Sequence, residues 1–103
     1  MLLKLKTITF ASNIQIMITS VDISYYPLAE EFIPHVQDFI DRLNTYPSIK
    51  VSTSGISTQV FGEYREVMSI ITNEIEKSFE LPNSVFVLKI INDELKEYKR
   101  YNG

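Results

Sequence analysis

The sequence predicts an α+β domain in which a four-stranded antiparallel sheet carries two helices on one of its faces. Segments with the alternation of strands and segments with the helical spacing of about 3.6 residues occur in the order β-α-β-β-α-β. The length of 103 residues suits one domain with one core. Right-handed crossovers join strands of this order into a single sheet with both helices on one side, so the predicted fold is ferredoxin-like.

The first strand is predicted from Gln15 to Tyr26, and its two faces differ. One face carries Met17, Val21, Ile23 and Tyr25, and the other carries Ser20, Asp22, Ser24 and Tyr26. Pro27 is predicted to end the strand. Pro34 suits the first turn of the next helix, because its missing N–H would have no partner there. The polar face of this strand therefore needs an explanation that a core does not provide.

The remaining elements follow from the same two patterns. The first helix places Val36, Phe39, Ile40 and Leu43 on one stripe. Strands at 49–54 and 57–61 form a predicted hairpin with a tight reversal at Gly55. After Gly62 and Glu63, the second helix keeps an apolar stripe made of Tyr64, Val67, Met68, Ile71, Ile75 and Phe79. The last strand, SVFVLKII, is apolar on both sides apart from Lys89, which predicts cover on both faces.

Two helices on one side leave the other face of the sheet bare. We expect that face to carry Phe86, Leu88 and Ile90, a sizeable apolar patch. Such patches are usually closed by a partner, so the sequence predicts a homo-oligomer, a dimer or tetramer joined through sheet faces or edges.

Both ends of the chain differ from the domain between them. Residues 15–92 form the predicted domain, residues 1–14 an extension that is a strand or a flexible arm, and residues 93–103 a polar tail. Lys4 and Lys6 interrupt the apolar start, which argues against a signal peptide. No run approaches the roughly 20 apolar residues of a membrane span, and no cysteine is present, so the cytoplasm is the expected location.

Composition and motifs argue against several functions that this fold supports. The net charge of -3 argues against a nucleic-acid partner, and the lack of cysteines excludes the paired thiolates of metal carriers. Arg42, Arg65 and Arg100 fall in helix or tail positions and are interpreted as solvated charges. His35 has no second imidazole and is expected to be a solvated residue without a role. No nucleophile or acid and base pair indicates an enzyme, and no cofactor or metal site is predicted.

The segments ISYYPL, GISTQVFG and VFVLKI resemble the YkoF-type family of thiamine and hydroxymethylpyrimidine binding proteins and its small single-domain members. The resemblance runs from about Met17 to Asn92. It implies a ferredoxin-like domain that pairs with another domain and binds the vitamin or its pyrimidine half without transforming it. This chain has one such domain, so the pairing would be between subunits.

The chemistry of thiamine suggests which side chains could bind it. The vitamin has a cationic thiazolium ring and an aminopyrimidine with a ring acceptor beside an amine donor, which suit a carboxylate, hydroxyls and aromatic faces. The candidate ligand-binding residues are Asp22, Ser24, Tyr26, Ser57, Thr58, Phe61 and Lys89. The expected function is vitamin binding near a subunit interface, in salvage or transport.

Each candidate residue also has a structural interpretation. Asp22 and Lys89 lie on neighbouring strands and could form a cross-strand ion pair. Ser57 and Thr58 could be hairpin hydroxyls, and Tyr25 and Phe61 could belong to the core. The alternative function is therefore a structural or regulatory homo-oligomer with no thiamine ligand.

Overall fold

The computed structural model describes residues 16–55, 57–81 and 83–93. The strands are β1 (Ile18–Pro27), β2 (Lys50–Thr53), β3 (Thr58–Glu63) and β4 (Ser84–Ile91), and the helices are α1 (Ile33–Leu43) and α2 (Tyr64–Ser78). This order is the predicted one. The predicted extension at 1–14 and nearly all of the tail at 93–103 lie outside the described residues.

The four strands form one antiparallel sheet in the order β2-β3-β1-β4. Strand β1 is central, so its residues have a neighbour on each side: Asp22 lies opposite Gln59 of β3 and Lys89 of β4. Both helices pack on the same face, which confirms the ferredoxin-like α+β fold.

The core lies between that face and the helices. From the sheet it takes Val21, Ile23 and Val60, and from the helices Phe39, Leu43, Val67, Ile70 and Ile71. Tyr25 stacks on Phe86 with 4.2 Å between ring centroids and meets the edge of Phe39 at 5.5 Å. Tyr25 therefore belongs to the aromatic end of the core, and the two predicted faces of β1 are confirmed.

The helix ends follow from local chemistry. Pro34 lies in the first turn of α1, as predicted. The side chain of Glu63 caps α2 by accepting hydrogen bonds from the backbone N–H groups of Arg65 and Glu66, at 3.2 and 3.0 Å. Gly62 precedes that cap, where a β-carbon would lie 3.0 Å from Cγ2 of Val67. A glycine there lets α2 begin directly after β3.

A polar cluster joins the two helices, and it corrects the prediction for Arg42. The Glu74 side chain is only 1% exposed. Its Oε1 accepts from Nη1 of Arg42 at 2.6 Å, and its Oε2 accepts from the hydroxyl of Tyr46 at 2.5 Å. Arg42 also donates to Ser78 at 2.7 Å. Arg42 is therefore a structural ion-pair partner and not a solvated charge, because a buried carboxylate needs a cation.

The face of the sheet away from the helices, called the open face below, differs from the expectation. Phe86, Leu88 and Ile90 pair with Tyr25, Ile23 and Val21, so all three lie on the helix side of the sheet, and Phe86 and Leu88 pack against the core. The exposed apolar residues of β4 on the open face are instead Val85, Val87 and Ile91. The predicted patch was wrong because β4 is apolar on both sides, and only its register shows which side faces the helices.

Strand β4 is an edge strand, and its open-face side is not covered. Val85 is 44% exposed and Val87 is 48% exposed, so the prediction that β4 is covered on both faces is wrong for the single chain. The open face is not bare throughout, since Ser20 and Phe61 are buried on it. Among the described residues, no helix is long and apolar enough to cross a membrane.

Candidate ligand-binding site

A cleft of about 570 Å³ opens where β1 extends beyond β3. Strand β3 pairs with β1 only as far as the Ile23–Thr58 pair, whereas β4 pairs with β1 as far as Pro27. Residues 24–27 therefore have a strand on one side only. The start of α1 and the tip of the β2–β3 hairpin close around that gap, and the volume is in the range of small-molecule sites.

The described lining of the cleft is mostly apolar, with a few neutral polar groups. The apolar and aromatic lining comprises Ile23, Tyr25, Pro27, Leu28, Phe32, Ile33, Val36, Phe39 and Ile40. The other lining residues are Tyr26, Gln37, Ser54, Gly55, Ser57 and Thr58. None of these residues carries a formal charge. A flat, mainly apolar molecule with a few hydrogen-bonding groups suits this lining.

Asp22, Ser57 and Gln59 form a hydrogen-bonded network behind one wall of the cleft. The hydroxyl of Ser57 donates to Oδ1 of Asp22 at 2.7 Å. The amide nitrogen of Gln59 donates to the same oxygen at 2.5 Å and to Oγ of Ser57 at 2.8 Å. Because the Ser57 proton is committed to a carboxylate, its oxygen can only accept a hydrogen bond from a molecule in the cleft.

The network keeps Asp22 ionised. The hydrogen bond from Ser57 lowers the pKa of Asp22 most, burial raises it, and Gln59 and the charge of Lys89 lower it further, so the net shift is downward. Lys89 acts at a distance: among the described residues, no ion pair within 4.0 Å joins its ammonium to Asp22. The structural alternative of a direct Asp22–Lys89 ion pair is therefore not present in this chain.

The structure divides the predicted site residues between two places. Asp22, Ser24, Tyr26, Ser57, Phe61 and Lys89 belong to the open face, and Thr58 lies on the opposite face, buried beside the helices. Only Tyr26, Ser57 and Thr58 line the cleft. Phe61 pairs with Ser20, nearer the other end of β1, and is 6% exposed. Thr58 therefore reaches the cleft from the helix side of the sheet, whereas Ser57 reaches it from the open face.

The hairpin interpretation applies to Ser54 rather than to Ser57. The backbone N–H of Ser54 donates to the carbonyl of Ser57 at 2.9 Å, and the backbone N–H of Ser57 donates to Oγ of Ser54 at 3.3 Å. Oγ of Ser54 therefore serves the turn, whereas the Ser57 side chain reaches across to β1. Its hydroxyl is not needed to form the reversal.

Sequence reasoning missed Gln59 and most of the apolar wall. Gln59 shares the parity of Ser57 on an alternating strand, so the period alone could have placed both beside Asp22. Phe32, Ile33 and Gln37 come from the start of α1, and no short-range pattern indicates that a helix start closes a gap beside β1.

A second cavity, of about 310 Å³, is less suited to a ligand. It is lined in part by His35, Asp38, Arg42 and Lys77, and His35 is half-buried there. Arg42 pairs with Asp38 and Glu74, and Lys77 pairs with Glu74, so the arginine and the lysine of this cavity already have carboxylate partners. No group of metal-ligating side chains occurs within the described ranges.

No protein-family model matches the sequence, and no curated protein sequence does either. Solved structures do match. Protein SP2199 from Streptococcus pneumoniae is similar with a TM-score of 0.70 and 24% identity over 80% of this chain and 93% of that one. Hypothetical protein MJ1052 from Methanocaldococcus jannascii is similar with a TM-score of 0.67 and 21% identity over 81% and 88% of the two chains.

A third similar structure is that of a protein connected with thiamine. It is a Thermotoga maritima protein, TM0486, provisionally assigned to thiamine biosynthesis or salvage, with a TM-score of 0.65 and 20% identity over 71% of this chain and 81% of that one. At these identities the likenesses show the fold, an α+β sandwich of the ferredoxin-like class.

Proposed function

We propose that this protein is a non-catalytic cytoplasmic binding protein that holds thiamine, or its hydroxymethylpyrimidine half, in the cleft at the end of β1. The observation that carries the proposal is the network of Asp22, Ser57 and Gln59 beside an uncharged aromatic cleft. Vitamin salvage or transport is the proposed context, and the similar fold of the Thermotoga maritima protein, provisionally assigned to thiamine biosynthesis or salvage, supports the salvage role.

The cleft and the pyrimidine are chemically complementary. The exocyclic amine of the pyrimidine is a donor, and Oγ of Ser57 can only accept because its proton is held by Asp22. Thr58 and Gln37 supply further polar groups, and the ring of Tyr26 supplies a face for stacking. The Asp22 carboxylate behind the wall also favours a positively charged ligand such as thiamine.

Calorimetric titration with thiamine and with free hydroxymethylpyrimidine tests the proposal. We expect each compound to bind with one molecule per protein chain, in the cleft. Thr58→Val removes a hydroxyl and keeps the shape, and Ser57→Ala removes the acceptor, so each should weaken binding about tenfold, the usual loss for one hydrogen bond in an enclosed site.

The matched control is Thr72→Val, an exposed position on α2 that does not line the cleft. It should leave the affinity unchanged. Absence of binding by both compounds at millimolar concentration would reject the ligand assignment.

The second proposed function is assembly with further copies of the chain, and the exposed apolar residues of the open face favour it. Tyr26 is 53% exposed and lies opposite Val85, and Val87 follows on the same side of the edge strand. These three side chains form a stripe at the cleft end of the sheet. A dimer or tetramer would cover it through the open face or the β4 edge.

A further inference from the structure

We infer that the cleft selects unphosphorylated ligands and discriminates against their phosphate esters. This inference rests on the proposed function, because it concerns which chemical form of the pyrimidine or vitamin the same site accepts. It follows from the charges and hydrogen-bonding groups around the cleft, and from which of them are already engaged.

The cleft has no cation among its described lining residues. Arg42 of α1 and Lys77 of α2 do not line the cleft and are committed elsewhere: Arg42 bonds to Asp38, Glu74 and Ser78, and Lys77 bonds to Glu74. Lys89 lies on the open face opposite Asp22. A phosphate group entering the cleft would therefore lose water without gaining the charged donors that phosphate sites use.

The Ser57 side of the wall points to the same selectivity. Ser57 can offer only a lone pair, because its hydroxyl donates to Asp22. The Oε1 atom of Gln37 is an acceptor, and one of the two N–H groups of the same side chain already donates to Asp41 at 2.8 Å. Acceptors beside an ionised carboxylate attract amine donors and repel phosphate oxygens.

Of the cleft-lining segments that the structure describes, the start of α1 is the one that could favour an anion, and it does so weakly. Phe32 and Ile33 bring this helix end to the cleft. However, Pro34 has no N–H, and the N–H of Val36 already donates to the carbonyl of Phe32 at 3.1 Å. Only the N–H groups of Ile33 and His35 remain in that turn, with no basic side chain beside them among the lining residues.

Titrations with two matched pairs test the inference: hydroxymethylpyrimidine against its monophosphate, and thiamine against thiamine monophosphate. We expect each phosphate ester to bind at least about tenfold more weakly than its alcohol. The loss of affinity should be larger for hydroxymethylpyrimidine monophosphate than for thiamine monophosphate, because in the smaller molecule the phosphate must enter the cleft. Equal or tighter binding of the esters would overturn the inference and leave the proposed function standing. Failure of all four compounds to bind would reject both.

A variant that adds a cation provides an independent test. Gln37→Lys places an ammonium at an exposed lining position, and it should narrow the difference between ester and alcohol several-fold by improving the binding of the ester. Thr72→Lys adds the same charge on the exposed side of α2 and should leave the difference in affinity between ester and alcohol unchanged. If both variants reduce that difference equally, the net charge of the protein and not the cleft sets the selectivity, and the inference fails.

Discussion

A single carboxylate, Asp22, accepts the hydrogen bond of the Ser57 hydroxyl and so leaves Oγ of Ser57 as a hydrogen-bond acceptor for a ligand. Asp22→Asn gives this position an amide that can donate as well as accept, so the Ser57 hydroxyl is no longer held in one direction. We expect thiamine affinity to fall about tenfold, with only a small decrease in melting temperature because Asp22 is half-buried. Calorimetry and thermal unfolding of the same samples measure the two effects.

The control for this prediction is Glu76→Gln, which removes one charge at an exposed position on α2. It should alter neither the thiamine affinity nor the melting temperature. Loss of stability in Asp22→Asn with unchanged affinity would instead indicate that the network serves the fold alone.

Two glycines differ sharply in the space around them. A β-carbon on Gly62 would lie 3.0 Å from Cγ2 of Val67, whereas one on Gly55 would have nothing within 4 Å. We therefore expect Gly62→Ala to reduce the free energy of unfolding by about 1–3 kcal/mol, because the core behind β3 must shift. Gly55→Ala should be neutral or stabilise by up to about 1 kcal/mol. Denaturant unfolding of both variants measures this, and equal losses would contradict the packing argument.

At the scale of elements, the polar cluster between α1 and α2 makes stability depend on pH. Burial raises the pKa of Glu74, but hydrogen bonds from Tyr46, Arg42 and Lys77 outweigh it, so the pKa lies below its ordinary value of 4.5. A carboxyl whose pKa is lower in the folded state stabilises the fold above its unfolded pKa. That stability is lost as the pH falls through the folded pKa.

We therefore expect the free energy of unfolding to decrease as the pH falls below about 4.5, with Asp22 contributing in the same direction. Glu74→Gln should destabilise the protein at pH 7 by roughly 3 kcal/mol, because it leaves Arg42 without its buried counter-charge, and it should flatten the acid dependence. Denaturant unfolding at a series of pH values measures both effects. An unchanged acid dependence in Glu74→Gln would assign it to other carboxyls.

The elements themselves could be predicted to within a few residues. The first strand was predicted at 15–26 and lies at Ile18–Pro27, and the first hairpin strand was predicted at 49–54 and lies at Lys50–Thr53. Periodicity and proline positions suffice for this because they act locally. Contacts between distant segments were not predictable in the same way: Arg42 meets Glu74 from 32 positions away, and no local pattern links them.

At the scale of the whole molecule, the alternation of polar and apolar residues along β1 was enough to predict which of its faces packs against the core. The same reasoning failed for β4, where valine, phenylalanine, leucine and isoleucine occupy both sides. The register with β1, which pairs Tyr25 with Phe86, settles which side is core. The cleft was also beyond sequence reasoning, since it arises from the different lengths over which β3 and β4 pair with β1.

The exposed stripe of Tyr26, Val85 and Val87 gives a prediction about assembly. If a second copy covers the stripe, Val87→Lys should place a charge in the interface and shift the protein to monomers, because burying an unpaired ammonium costs more than the apolar contact gains. Light scattering after gel filtration measures the mass directly.

Thr72→Lys is the matched control on the helix side and should keep the mass of the parent protein. A parent protein that is monomeric at high micromolar concentration would contradict the assembly, and a Val87→Lys variant of unchanged mass would place the contact elsewhere. Because Tyr26 belongs both to the stripe and to the cleft, monomers should also bind thiamine more weakly if the partner subunit helps to hold that ring in place.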